Sequence, residues 1–235
     1  MSKTIEGILS KIRDLGAQAF VVTSPVNRRY LTGFTGSAGT VWISENRKAL
    51  LTDFRYIEQA KGQCPGWEII QVDEYEQSIA ELIDAEGVKA VAIEAPHITV
   101  NQFKSWQKAF SAEIVETEGI VEAVRMVKTP EEIEKIRRAA AIADHAFAHV
   151  LPQLRPGVTE LEIALELEFT MRKAGASGVS FRPIVAAGER SALPHAEPGN
   201  RVFAHGDFVV MDFGCVFEGY CSDMTRTVVI GEPTE

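Results

Sequence analysis

Apolar and polar residues alternate in two different ways along the chain up to residue 120. Apolar positions at helical spacing predict helices over residues 5–15, 55–61, 74–86 and 99–110. Short apolar runs bounded by turn residues predict strands over residues 19–23, 40–44, 49–53, 67–72 and 89–94. Between the first two strands, Tyr30–Gly39 contains three glycines and predicts a loop with close backbone approach. Strands interleaved with helices are typical of an α/β domain.

Beyond residue 120 the pattern changes, and two helices are announced by capping boxes. Thr129-Pro130-Glu131-Glu132 offers a side-chain cap, a proline in the first helical position and a glutamate in the third. Thr159–Glu162 repeats the arrangement. The predicted apolar stripes are Ile133, Ile136, Ala140, Ala143 and Phe147 on the first helix and Leu161, Leu165 and Phe169 on the second. A strand over Val179–Ala187 and a loop that holds His195 follow.

Phe208–Ile230 has the pattern of two strands folded back on each other, each with one aspartate. A two-residue turn at Glu218-Gly219 would pair Asp212 with Thr225 and Gly214 with Asp223. Asp212 and Asp223 would then be diagonal neighbours on one face, roughly 7 Å apart at Cβ, and Gly214 would leave the space between them without a side chain. A three-residue loop would instead place the two acids on opposite faces.

Two carboxylates that converge on a vacant spot are hard oxygen ligands of the kind that divalent cations prefer. Solvated or turn-capping aspartates are the alternative, and spacing does not decide between them. His145 and His149 also have the spacing of zinc ligands on a helix, but no HExxH pattern accompanies them, so we expect a solvated helix face.

Composition narrows the class of protein. With 235 residues, 46% hydrophobic and 24% charged, the chain predicts one or two globular domains. A net charge of −9 argues against nucleic acid as a partner, and no apolar run approaches the roughly 20 residues that would cross a membrane. Three cysteines and a charged N-terminus favour a cytoplasmic protein. Cys215 and Cys221 fall on opposite faces of the predicted hairpin, so we expect no disulfide between them.

The hairpin sequence MDFG…EGYCSDMTRT closely resembles the paired-aspartate segment of the Xaa-Pro aminopeptidases and dipeptidases (prolidases), which are pita-bread metallopeptidases related to creatinase and methionine aminopeptidase. The segments at 30–37, 52–56, 125–132 and 193–195 resemble the same family in the same order. The resemblance implies a creatinase-like N-terminal α/β domain over residues 1–122. An incomplete α+β pita-bread domain over residues 123–235 would follow.

The resemblance also implies a site and a reaction. Asp212 would bind one metal ion as a terminal ligand and Asp223 would bridge two ions, Mn²⁺ or Co²⁺. His195 would be a catalytic and substrate-binding residue, and Phe181 would lie in the substrate pocket, although core packing explains it equally well. Thr225 could orient Asp212 from behind, and β propensity explains it equally well.

By the same resemblance, a hydroxide activated by the two ions would hydrolyse Xaa-Pro bonds at the N-terminus of peptides or in dipeptides. The partners would be peptides with proline in second position and, by analogy, a second copy in a homodimer. The aminopeptidase and dipeptidase alternatives stay open.

The chain departs from the family pattern in one respect. The family's three further ligands, a histidine and two glutamates, follow the paired aspartates, whereas no histidine follows His205 here. We expect the natural protein to continue past Glu235. The alternative is that a second copy of the chain supplies the part of the site that this chain lacks. The 235-residue chain alone is then expected to be inactive. The alternative functions are an inactive binding or dimerising module and a metal-free creatine amidinohydrolase-like enzyme, which would not need both aspartates.

Overall fold

The computed structural model describes residues 3–233, and Glu235, which ends the predicted second domain, lies outside them. The chain divides between Val127 and Lys128 into two compact units, here called the first and the second unit. The helix Ile120–Arg125 spans the predicted boundary between residues 122 and 123. Within the described residues, no helix combines the length and the apolar character that a membrane crossing requires.

The first unit is an α/β structure around one mixed sheet, as the alternating pattern predicts. Its strands lie in the order β4-β3-β2-β1-β5-β6, with β1–β2 and β2–β3 antiparallel and the other neighbours parallel. In chain order its elements are α1 (Lys3–Asp14), β1 (Ala19–Val22), α2 (Pro25–Thr32), β2 (Thr40–Ser44), β3 (Lys48–Thr52), α3 (Ile57–Gln63), β4 (Glu68–Gln71), α4 (Tyr75–Glu86), β5 (Ala90–Glu94), α5 (Val100–Ala109), β6 (Glu113–Thr117) and α6 (Ile120–Arg125).

Both faces of this sheet are covered by apolar side chains. Ile8 and Ile12 of α1 pack against Phe20 on one face, and Ile79 of α4 packs with Trp106 of α5 on the other. Trp106 is buried and stacks on Phe110 with ring centroids 5.2 Å apart, so these two aromatic rings belong to the core.

The helix α2 was not predicted, and the predicted loop Tyr30–Gly39 is helical up to Thr32. Ser24 caps α2 by accepting a hydrogen bond from the Asn27 backbone N–H, and Pro25 begins the helix. The remaining loop folds around the buried Arg28, whose guanidinium donates to the carbonyls of Gly36 and Gly39. Burial lowers the pKa of Arg28 below its usual value.

The second unit packs two helices against short antiparallel strands, and both capping boxes form as predicted. Its strands make two sheets, β11-β10-β7 and β12-β9-β8. The elements are α7 (Pro130–Val150), α8 (Glu160–Lys173), β7 (Gly178–Val179), β8 (Ile184–Ala187), β9 (Phe208–Phe213), β10 (Cys215–Phe217), β11 (Tyr220–Cys221) and β12 (Met224–Val229). Within residues 3–233, β12 is an edge strand of its sheet.

Two predictions about the second unit are wrong. The single strand over Val179–Ala187 is two strands in different sheets, separated by residues 180–183, where the buried Pro183 has no N–H to donate. The predicted apolar stripe of α8 is its exposed side, with Leu165 58% and Phe169 53% exposed.

The buried side of α8 instead consists of Ile163, Ala164, Leu167 and Met171, and α7 buries Ala139, Ile142, Ala143, Ala146 and Val150. Of the stripe predicted for α7, Ala143 is buried and Ile133 is 45% exposed. Because α8 is apolar on both sides, the helical period alone did not determine which side packs.

Candidate metal centre

The aspartate hairpin turns through two residues in the left-handed conformation, Glu218 (φ 48°) and Gly219 (φ 89°). This is the geometry of a two-residue β-hairpin turn. Phe217 pairs with Tyr220 next to the turn, and Asp212 pairs with Thr225 farther along. The register is the same on both sides of the intervening break, so the predicted pairing is confirmed and the three-residue loop is excluded.

The hairpin passes from one sheet to the other at Gly214, where the prediction of a vacant space is wrong. A Cβ at Gly214 would lie 1.9 Å from the Ser222 carbonyl oxygen and 2.5 Å from Ser180 Oγ. The Ser180 hydroxyl donates to that carbonyl over 2.8 Å, and the Cys215 N–H donates to Ser222 Oγ over 3.0 Å. Glycine is needed here because the facing backbone approaches closely, and that backbone fills the space.

Asp212 lies on β9, and Asp223 directly precedes β12, the strand that pairs with β9. Asp212 is half-buried on β9 and accepts a hydrogen bond of 3.1 Å from the Thr225 hydroxyl. Asp223 is exposed and precedes Thr225, the partner of Asp212, by two residues. The contact between Thr225 and Asp212 is the one that the sequence suggested for orienting this carboxylate.

A cleft of about 480 Å³ opens beside the second strand of the hairpin. Asp223 and Thr225 contribute to one wall, and Ile136, Ala140 and Asp144 of α7 contribute to another. Asp223 is therefore exposed at the edge of an open cleft.

The donor chemistry fits part of a site for a hard divalent cation. Asp212 and Asp223 supply carboxylate oxygens, which such cations prefer. Within residues 3–233, no three histidine, cysteine, aspartate or glutamate side chains come close enough together to hold an ion. The described residues thus contain two candidate carboxylate ligands and no complete set of ligands.

The structure places the other predicted site residues around the same sheets. His195 is exposed on the loop that joins β8 to β9, and Phe181 is half-buried in the segment that joins β7 to β8. The two histidines with helical spacing, His145 and His149, both lie on α7. His149 forms a hydrogen bond of 2.7 Å with Glu166 of α8, and His145 is exposed.

The three cysteines are free, as the predicted register requires. Cys215 is buried, and burial raises the pKa of its thiol, whereas Cys221 is exposed.

Sequence reasoning missed Glu160, Ser180 and Ser222. Glu160 is fully buried in the first turn of α8. In the sequence it stands inside the capping box Thr159–Glu162, and nothing there distinguished it from an exposed glutamate. Ser180 and Ser222 hold the crossing point of the hairpin, and the sequence signal was limited to Ser222, which directly precedes Asp223.

Comparison with known families matches both units. Residues 5–127 match the creatinase/prolidase N-terminal domain, and residues 134–235 match metallopeptidase family M24.

Individual relatives agree with these matches. The chain is similar to the uncharacterized peptidase YqhT of Bacillus subtilis (strain 168), with 44% identity over 97% of this chain and 66% of that protein. Among solved structures it is similar to an Xaa-Pro dipeptidase from Bacillus anthracis, with 43% identity, a TM-score of 0.95 and coverage of 99% of this chain and 66% of that one. An X-Pro aminopeptidase from Thermotoga maritima MSB8 has 39% identity, a TM-score of 0.88 and coverage of 98% and 66%. The chain therefore spans about 66% of the length of these relatives.

Proposed function

Because this chain belongs to metallopeptidase family M24 and carries a creatinase/prolidase N-terminal domain, we propose that the complete protein hydrolyses Xaa-Pro peptide bonds. Its architecture is a creatinase-like α/β domain followed by part of a pita-bread domain. The substrates would be dipeptides or longer peptides with proline in second position. The observation that carries the proposal is the hairpin register, which pairs Asp212 with Thr225, two residues beyond Asp223.

In this proposal Asp212 and Asp223 hold part of a site for two divalent ions, with Mn²⁺ or Co²⁺ as the preferred metals. Bound there, the ions would lower the pKa of a water molecule and polarise the scissile carbonyl. The Thr225 hydroxyl holds the Asp212 carboxylate in one orientation, which leaves the carboxylate's other lone pairs for a ligand. The contacts of Ser180 and Ser222 hold the two arms of the ribbon together at the point from which both acids project.

His195 and Phe181 would act on the substrate side. His195 is exposed on its loop, so its ring can donate a hydrogen bond to the scissile peptide group as charge develops there. Phe181 offers a half-buried aromatic surface that suits the apolar ring of proline. By analogy with the family, we further propose a homodimer. We also propose a cytoplasmic location, and the three free cysteines support this location.

The 235-residue chain alone is proposed to be inactive, since two carboxylates rarely hold a catalytic ion. The lack of a complete set of metal ligands among the described residues favours a second candidate function, a binding or dimerising module without catalysis. The presence of both aspartates disfavours a metal-free creatine amidinohydrolase-like enzyme.

An assay of Xaa-Pro hydrolysis, on a dipeptide and on a longer peptide, distinguishes these functions. The complete natural protein is expected to lose activity on treatment with EDTA and to recover it with Mn²⁺. Asp212→Asn and Asp223→Asn should abolish turnover. Glu218→Gln is the matched control, because Glu218 is an exposed acid at the turn of the same hairpin. Undiminished activity in the Asp223→Asn protein would overturn the proposed site, and an inactive complete protein would favour the binding module.

A further inference from the structure

The loop that carries His195 is held at both ends by one buried side chain. This loop, residues 188–199, begins after β8 and returns to the first turn of α8. The Glu160 carboxylate accepts hydrogen bonds from the Ala187 N–H at 2.9 Å, before the loop, and from the Gly199 N–H at 3.2 Å, at its end. Glu160 has no exposed surface.

The same carboxylate pairs with a cation within the loop. Arg190 Nε lies 3.2 Å and 3.1 Å from the two Glu160 oxygens. Its Nη2 donates to the Glu197 carbonyl over 2.6 Å, two residues beyond His195. Arg190 therefore connects the buried carboxylate to both sides of the loop tip that carries His195.

Capping of α8 does not account for Glu160. The capping box is made by Thr159 and Glu162, whose side chains bond each other's backbone N–H groups. Within the described residues, the side-chain hydrogen bonds of Glu160 instead join it to partners 27 to 39 residues away along the chain. A buried carboxylate whose donors all belong to one loop and its ends acts on the position of that loop.

The strand that Glu160 holds is the direct neighbour of the strand that carries Asp212. On β8, Ala187 pairs with Val209, and Ile184 pairs with Asp212 itself. Glu160 thus sets the start of the His195 loop relative to the strand of the metal-site aspartate.

We propose that Glu160, with Arg190, is a positioning residue that fixes the His195 loop relative to Asp212. This inference rests on the proposed function for the role of His195, whereas the anchoring itself rests on the contacts of Glu160.

The first test is hydrogen exchange of residues 188–199 in the 235-residue chain, measured by mass spectrometry. Glu160→Gln places an amide donor against backbone donors, and exchange of the loop should become roughly tenfold faster while β9 and β12 keep their protection. Arg190→Ala removes only the cation, which is partly exposed, and decides the question if Glu160→Gln does not fold. Glu162→Gln is the control, since it weakens the helix cap without touching the loop. Unchanged loop exchange in folded Arg190→Ala and Glu160→Gln would overturn the anchoring.

The second test measures kcat and KM in the complete protein, per folded molecule. Glu160→Gln should lower kcat/KM for an Xaa-Pro peptide by about 10- to 100-fold. The effect should not add to that of His195→Ala, because both changes act through one side chain. A loosened loop with unchanged kcat/KM, or fully additive effects, would contradict a positioning role. An inactive wild-type protein would refute the proposed function instead, and the exchange comparison would still decide the anchoring.

Discussion

Gly214→Ala is expected to destabilise the second unit strongly while leaving the first unit intact. The added Cβ would lie 1.9 Å from the Ser222 carbonyl oxygen, a backbone atom that no side-chain rotation can move away. Ordinary van der Waals contact would require the facing strand to move by roughly 1.5 Å or more. Such a shift separates the hairpin arms at the crossing point between Asp212 and Asp223.

The magnitude follows from the contacts that this shift breaks. Overpacking of this kind costs about 1–3 kcal/mol. The bonds from Ser180 Oγ to the Ser222 carbonyl and from the Cys215 N–H to Ser222 Oγ are each worth about 1 kcal/mol. The free energy of unfolding of the second unit should therefore fall by about 3–5 kcal/mol, a large part of the 5–15 kcal/mol typical of domains.

The chain itself supplies a convenient assay. All three tryptophans, Trp42, Trp67 and Trp106, lie in the first unit, so tryptophan fluorescence reports urea unfolding of that unit alone. Circular dichroism reports both units. Gly214→Ala should lower the midpoint of the second unit by roughly 1–5 M urea and leave the fluorescence midpoint unchanged.

Gly178→Ala is the matched control in the same unit. A Cβ at Gly178 meets only the Arg172 guanidinium at 3.6 Å, an ordinary contact. If Gly214→Ala and Gly178→Ala unfold at the same urea concentration, the reasoning from close backbone approach is refuted.

Two further predictions concern titration and thiol chemistry. The hydrogen bond from Arg201 holds the pKa of Asp207 below its usual value. A lowered folded-state pKa contributes stability that is present above the unfolded pKa of about 3.9 and lost as the pH falls through the folded value. The urea midpoint of the second unit should therefore decrease below about pH 4. This decrease should be less steep in the Asp207→Asn protein. The folded protein should react with a thiol reagent at the exposed Cys221 alone, because burial raises the pKa of Cys64 and Cys215. In urea all three thiols should react. Rapid reaction of more than one thiol before unfolding would contradict the burial of Cys64 and Cys215.

Locally encoded features of the fold were predictable from the sequence. Both capping boxes and the turn at Glu218-Gly219 depend on residues at most three positions apart, and all three formed as predicted. The helix α2 was missed because Ser24-Pro25 directly follows the strand predicted over residues 19–23, although the same pair can also begin a helix. The buried side of α8 could not be predicted from the sequence, because both sides are apolar and the choice depends on strands far away in the chain.

The candidate site shows the same division. The pairing of Asp212 with Thr225 follows from the turn chemistry at Glu218-Gly219, so the register was predictable. The sequence showed that Gly214 lacks a side chain, but it did not show that the Ser222 backbone fills the space. The role of Glu160 in holding the His195 loop could not be predicted, because its partners, including Arg190, lie about 30 residues away in the sequence.

The most direct test of the central claim is anomalous diffraction at the manganese edge from crystals of the complete natural protein grown with Mn²⁺. We expect anomalous peaks about 2.0–2.6 Å from carboxylate oxygens of both Asp212 and Asp223, the range that hard divalent cations adopt on oxygen ligands. Peaks only at other residues, or the two carboxylates on opposite faces of the hairpin, would contradict the account.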